Sequence, residues 1–193
     1  MATRIYTRGG DDGTTGTHGG GSRVAKDDPR IEAVGSLDEV NCLLGVVRSL
    51  LPASDERQVV LHRLQREMMV AMSLVCTPSA RRGENPNVCD PEIVKWCEGE
   101  IDARMAACPD RDFFVLPGGT AVSAQLQLAR AVTRRAERRL WTLHSIDPLP
   151  DEILRFVNRL SDLLFAMARG EMAGCGRGEE LWQAFAYKNR RKP

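Results

Sequence analysis

A chain of 193 residues with a net charge of +1 is long enough for one domain with a full core, and its near-neutral balance argues against general nucleic-acid binding. Its six cysteines form no CxxC pair and its three histidines are scattered, so zinc-site spacing is absent and reduced thiols in a cytoplasmic protein are expected. No apolar run is long enough to span a membrane and the N-terminus lacks a signal-peptide core, so no membrane partner is expected.

Residues 1–30 are rich in Gly, Thr, Asp, Arg and Lys, which reads either as a disordered tail or as a functional glycine-rich loop. Within them, Thr7-Arg8-Gly9-Gly10-Asp11-Asp12-Gly13-Thr14-Thr15 continues to Ser22-Arg23-Val24-Ala25-Lys26. Glycines let backbone N–H groups approach an anion, and Thr, Arg and Lys add donors, so the segment suits a polyphosphate. It is not a Walker A loop, because no Gly-Lys-Ser/Thr follows at the right spacing.

From about Ile31 the spacing becomes helical. Leu37, Val40, Leu44, Val47 and Leu51 mark one face, stopped by Pro52. Asp38 and Asn41 lie three apart on this helix, within reach of one partner, or on an ordinary exposed face. A second helix is predicted from about Ser54 to Cys76 on Val60, Leu64, Met68, Met72 and Val75. After a break from Thr77 to Val88, Asp90-Pro91-Glu92 reads as the start of a third, carrying Ile93, Val94, Cys97, Ile101 and Met105 and ending before Pro109.

Phe113 and Phe114 then lead into Pro117-Gly118-Gly119-Thr120, a turn that starts the fourth helix, to about His144, with Thr120 as its cap. Leu126, Ala129, Val132, Thr133, Ala136 and Leu140 form its apolar stripe. Beside them Arg130, Arg134 and Arg138 recur every four residues, with Arg135, Glu137 and Arg139 close by. This is either a solvated, salt-bridged face or an anion-binding ladder, since arginine makes bidentate contacts with phosphate or carboxylate. The Phe-Phe and Gly-Gly lead-in favours the second.

A fifth helix, about Asp151 to Met172, carries Asn158, Ser161 and Asp162 on a face otherwise made for burial, where polar groups need partners. Glycines then break the pattern. Trp182, Phe185 and Tyr187 are apolar enough to dock, and the chain from Lys188 reads as a loose tail. With no strand alternation and no internal repeat, the expected fold is all-α, a five-helix up-and-down bundle. The expected division is residues 1–30 as a glycine-rich segment suited to a polyphosphate, 31–182 as the bundle and 183–193 as a tail. There is no Ser/His/Asp set and no acidic dyad, which favours positioning and electrostatics over acid–base chemistry.

Six motifs, TRGGDDGTT (7–15), GSRVAK (21–26), EAVGSLDEVN (32–41), FFVLPGGT (113–120), ARAVTRRAER (129–138) and NRLSDLLF (158–165), occur in the order found in the propanediol-utilisation type of ATP:cob(I)alamin adenosyltransferases, which the chain resembles. Just ahead of the fifth motif Gln127 departs, where relatives often carry His. The resemblance implies a homotrimer with sites at subunit interfaces that moves the 5′-deoxyadenosyl group of ATP to cob(I)alamin, giving adenosylcobalamin and triphosphate. It carries ATP contacts onto Thr7, Arg8, Gly9, Gly10, Thr15, Gly16, Lys26, Arg134, Arg135, Glu137, Arg138 and Asn158. It implies an intersubunit pair of Asp38 with Arg130, and a phenylalanine beneath the corrin at Phe114, with Phe113 as the alternative. It further implies Mg2+ on the phosphates without named protein ligands, and partners among reductases and cobalamin-dependent enzymes. Two other functions compete with it: a regulatory ATP-binding or cofactor-delivery protein without turnover, and a nucleic-acid-binding helical protein using the arginine ladder.

Overall fold

The five helices form where the apolar spacing places them: α1 (Pro29–Leu50), α2 (Arg57–Cys76), α3 (Ile93–Met105), α4 (Ala121–His144) and α5 (Asp151–Gly174). The computed structural model describes Tyr6 and residues 8–17, 23–109 and 114–182. Side chains set the helix starts. Thr120 caps α4, its Oγ1 accepting from the Ser123 N–H at 3.0 Å, and Asp28 caps α1 by accepting from Arg30 N at 2.8 Å ahead of Pro29. Asp90 accepts from Glu92 N at 2.9 Å, but this closes a turn, and α3 proper begins at Ile93. The same local competition delays α2 to Arg57, whose N–H donates to the Asp55 carboxylate at 2.9 Å. The break after α2 contains a 3-10 helix, Ser79–Glu84.

The predicted stripes make the core. Leu37, Val40, Leu44 and Val47 of α1, Leu64, Met68 and Val75 of α2, and Leu126, Ala129, Thr133, Ala136 and Leu140 of α4 are all buried. The principal packings are α2 on α1, α1 on α4, α4 on α5 and α5 on α3. Ion pairs give the directions: Arg135 and Arg139 of α4 meet Glu39 and Glu32 of α1 in reverse order, so α1 and α4 are antiparallel. Arg159 of α5 meets Glu98 of α3, and Arg169 of α5 reaches Pro109 just past α3, so α3 and α5 run parallel. Directions therefore alternate along the chain as in an up-and-down bundle, yet α4 sits between α1 and α5 rather than beside α3.

The all-α expectation needs one correction. Thr14–Gly16 (β1) pairs with Arg23–Ala25 (β2) in an antiparallel hairpin. Three-residue strands without buried alternation leave no periodic signal. Polar side chains hold this hairpin instead: Arg23 donates to Gly9 O, to Thr14 O at 3.1 Å and to Thr14 Oγ1 at 2.8 Å. A second, shorter ladder joins Val115 to Leu181. No helix among the described residues is long and apolar enough to cross a membrane.

Candidate active site

One face of α4 organises the site. Arg130 is half-buried, and its Nε donates to Gln127 Oε1 at 2.8 Å, one turn back. Burial, and Arg134 beside it, hold the Arg130 pKa below the usual arginine value. Arg134 is exposed, and its carbonyl accepts from Arg138 Nη1 at 3.0 Å. Among the described residues no carboxylate pairs with Arg130, Arg134 or Arg138. Glu137 Oε1 accepts from Asn158 Nδ2 at 2.9 Å, which ties the face to α5. An open groove of about 560 Å³ follows, lined by Glu98, Glu137, Trp141, Leu154, Asn158 and Arg159. A row of guanidiniums with no carboxylate partner among the described residues suits an anion.

Arg135 and Arg139 do not share this face. Arg135 is ion-paired with Glu39, and Arg139 lies 3.8 Å from Glu32, so both are turned toward α1. The candidate ATP contact Arg135 is therefore engaged within the chain.

The hairpin brings together Gly10, Gly13 and Lys26. Lys26 N–H donates to Gly13 O at 3.0 Å, and a Cβ on Gly10 would lie 3.2 Å from Lys26 Nζ, so the ammonium reaches the loop because Gly10 has no side chain. Thr15 and Gly16 lie on β1, and Gly9 in the turn before it. Arg8 takes up a φ of 58°, a left-handed conformation rare for arginine, with its guanidinium 5.7 Å from the Tyr6 ring centre. The hydrogen bonds of Thr14 hold the Asp12 carboxyl below its usual range. Thr7 lies outside the described residues.

Phe114 stands at the other end of α4. It is 79% exposed and so is no part of the buried core. Phe113 lies outside the described residues. The turn behind Phe114 is tightly built: Gly119 has a φ of 91°, and a Cβ there would collide with Met172, while Thr120 Oγ1 donates to Glu171 Oε1 at 2.9 Å. Glu171 is also ion-paired with Arg57 of α2. From Thr120 to Arg134 is 14 residues, about 21 Å along the helix axis, so α4 presents an apolar ring at one end and cations toward the other.

Asp38 is exposed on α1 and has no cation partner among the described residues. Asn41, expected to share a partner with it, turns instead toward α2, donating to Met69 Sδ at 3.4 Å. On α5, Ser161 is buried and satisfied by Asn158 O at 2.9 Å, but Asp162 is exposed and accepts from Arg159 at 2.9 Å, not inward as expected. Sequence reasoning missed Arg23 as the hairpin's organiser and Gln127 as the acceptor for Arg130. The second had a visible signal, since Gln127 lies three residues before Arg130 on a helix.

A family model described as cobalamin adenosyltransferase matches residues 5–171. The corrinoid adenosyltransferase of Mycobacterium tuberculosis (strain H37Rv) is 39% identical over 184 residues, spanning 94% of this chain and 93% of its own length. That of Citrobacter freundii is 41% identical over 168 residues, 87% of this chain and 94% of its own. Among solved structures, a phenylalanine-to-alanine variant of the PduO-type ATP:corrinoid adenosyltransferase of Lactobacillus reuteri, complexed with cobalamin and ATP, aligns with a TM-score of 0.88 at 31% identity, over 93% of this chain and 99% of that one.

Proposed function

This chain belongs to the cobalamin adenosyltransferase family, and from that premise we propose that it transfers the 5′-deoxyadenosyl group of ATP to cob(I)alamin. Cobalt(I) attacks carbon 5′ with its electron pair, the carbon–oxygen bond to the triphosphate breaks, and triphosphate leaves with that bond's electrons. Cobalt ends formally two units more oxidised, as adenosylcobalamin. The metal is itself the nucleophile, so the protein has to supply position and charge rather than a base.

The observation that carries the reading is the polarity about α4: exposed cations without carboxylate partners among the described residues along one face, and an exposed phenylalanine in the segment leading into it. Arg134 and Arg138 are assigned to the triphosphate, whose leaving charge they neutralise. Glu137 and Asn158 hold the nucleoside end, and Arg8, Gly9, Gly10, Thr15, Gly16 and Lys26 close over the phosphates. A magnesium ion bound with ATP would help neutralise the triphosphate charge. The chain's share would be to cradle the Mg-triphosphate with backbone and side-chain donors. Phe114 lies beneath the corrin and keeps water and the cofactor's own base from the lower face of cobalt. We place the pair Asp38–Arg130 across subunits of a homotrimer, and the enzyme in the reducing cytoplasm, supplied by a reductase.

The test is turnover under reducing conditions with ATP and cob(I)alamin, following adenosylcobalamin by absorbance and triphosphate by ion chromatography. Equimolar products are expected. Binding of both substrates without either product would make the chain a carrier.

A further inference from the structure

Beyond α5 the chain does not trail away. Arg169, 6% exposed, makes a two-pronged ion pair with Glu179 at 2.9 and 3.0 Å and donates to Pro109 O at 2.8 Å, which pins the returning segment to α5. From that anchor, residues 180–182 run antiparallel to 114–116. Leu116 N–H donates to Glu180 O and Trp182 N–H donates to Phe114 O, both at 2.8 Å. This places Trp182 directly across from Phe114 in the ladder, on the same face. Their rings meet edge to face, centres 6.3 Å apart at 78°. That is the geometry the ring quadrupole favours.

We propose that Trp182 is a positioning residue for Phe114, fixing the ring angle that excludes the lower ligand of cobalt. A phenylalanine 79% exposed on a two-bond ladder has no packed core around it to select one rotamer. The indole edge supplies that selection, and the buried Arg169–Glu179 pair fixes the height of the indole. Trp182, itself 46% exposed, does not fill the core.

The inference rests on the assignment of Phe114 to the corrin, and the experiment keeps the two apart. With Mg-ATP bound, the fraction of cob(II)alamin in the four-coordinate state is read by electron paramagnetic resonance in wild type, W182F, W182L, W182A and F114A, beside ATP affinity by calorimetry. W182F keeps an aromatic edge and should stay close to wild type. W182L and W182A should lower the four-coordinate to five-coordinate ratio about fivefold, the size of one aromatic pair contact, with ATP affinity unchanged. Should W182A fail to fold, the contrast of W182F with W182L decides alone. If F114A loses the four-coordinate signal while W182L matches wild type, Trp182 does not position the ring and the inference is overturned. A parallel fall in ATP affinity in W182L overturns it as well, since the effect would then be general to the fold. If F114A itself keeps the full signal, it is the corrin assignment that has failed.

Discussion

At the scale of single residues, the decisive contrast is between arginines five residues apart, and so on different faces of one helix. Arg134 has no carboxylate partner among the described residues, whereas Arg139 has Glu32 at 3.8 Å. Arg134→Ala should therefore lower turnover on the order of 10²–10³-fold, as loss of a charge-assisted contact to the leaving group does. Arg139→Ala, which removes an exposed ion pair, should stay within about threefold of wild type. Equal rates for the two variants would refute the assignment. Gln127 gives a second contrast. Because Arg130 Nε can only donate, Gln127 must present Oε1, and it is buried with that bond. Gln127→Leu leaves a half-buried guanidinium without its acceptor and should cost about 1–3 kcal/mol in urea unfolding, while Gln127→His retains an acceptor and should cost less. Equal losses would show that only packing matters there. The ladder was legible in the sequence because four-residue spacing fixes a helix face. That Arg135 leaves it for Glu39 was not, because the register of α1 against α4 depends on how two distant stripes interlock.

Elements divide by how they are held. The five helices could be read because each buries a stripe of period 3.6, and the Thr120 cap marked the start of α4, whereas α1 begins at Pro29 behind an Asp28 cap, ahead of the expected Ile31. The hairpin and the 114–116 ladder could not, since neither buries an alternating face; both are held by main-chain bonds and by Arg23 or Arg169, whose partners lie at separations no local pattern reports. An element so held has little stability of its own and gains most from a ligand. The hairpin presents Gly10, Gly13 and Lys26 together, so saturating Mg-ATP should slow hydrogen exchange of the β1 and β2 amides. At a ligand concentration a hundredfold above Kd the slowing should reach about 100-fold. Exchange rates there that are the same with and without Mg-ATP would remove the hairpin from the ATP site.

The whole molecule is tied at both ends of the bundle by carboxylates that favour the folded state when charged. Arg30, 7% exposed, pairs with Asp147 at 2.5 Å and donates to Val75 O at 2.6 Å, joining α1, α2 and the α4–α5 loop. Burial pushes the Asp147 pKa up, but hydrogen bonds from Ser79 and the charge of Arg30 outweigh it, and the net shift is downward. Glu171 and Asp55 at the other end are also held low, against burial, through Arg57 and Thr120 for Glu171 and chiefly by the Arg57 hydrogen bond for Asp55. Groups depressed in the folded state stabilise it above their unfolded values, about pH 4, and that stability drains away as pH falls through the folded values. Urea midpoints should thus hold from pH 7 to about 5 and drop steeply below 4, and Asp147→Asn should be destabilising at pH 7 yet blunt the acid drop; a midpoint flat to pH 3 would contradict this. Assembly is the remaining question at this scale. Arg130 is half-buried without a counter-charge among the described residues, a costly arrangement unless a partner supplies one. Its Nε is occupied by Gln127, which leaves the outer nitrogens for a carboxylate, and Asp38 is exposed and free of any cation partner among the described residues. The two lie on different helices, so a contact between them would join unlike patches, as the head-to-tail homotrimer proposed above requires. Asp38→Arg or Arg130→Asp alone should place like charges together at every interface, shifting the mass in sedimentation toward monomer and cutting turnover. The double exchange restores opposite charges and should recover part of both. A double variant no better than either single change would mean that these residues do not face each other across the ring.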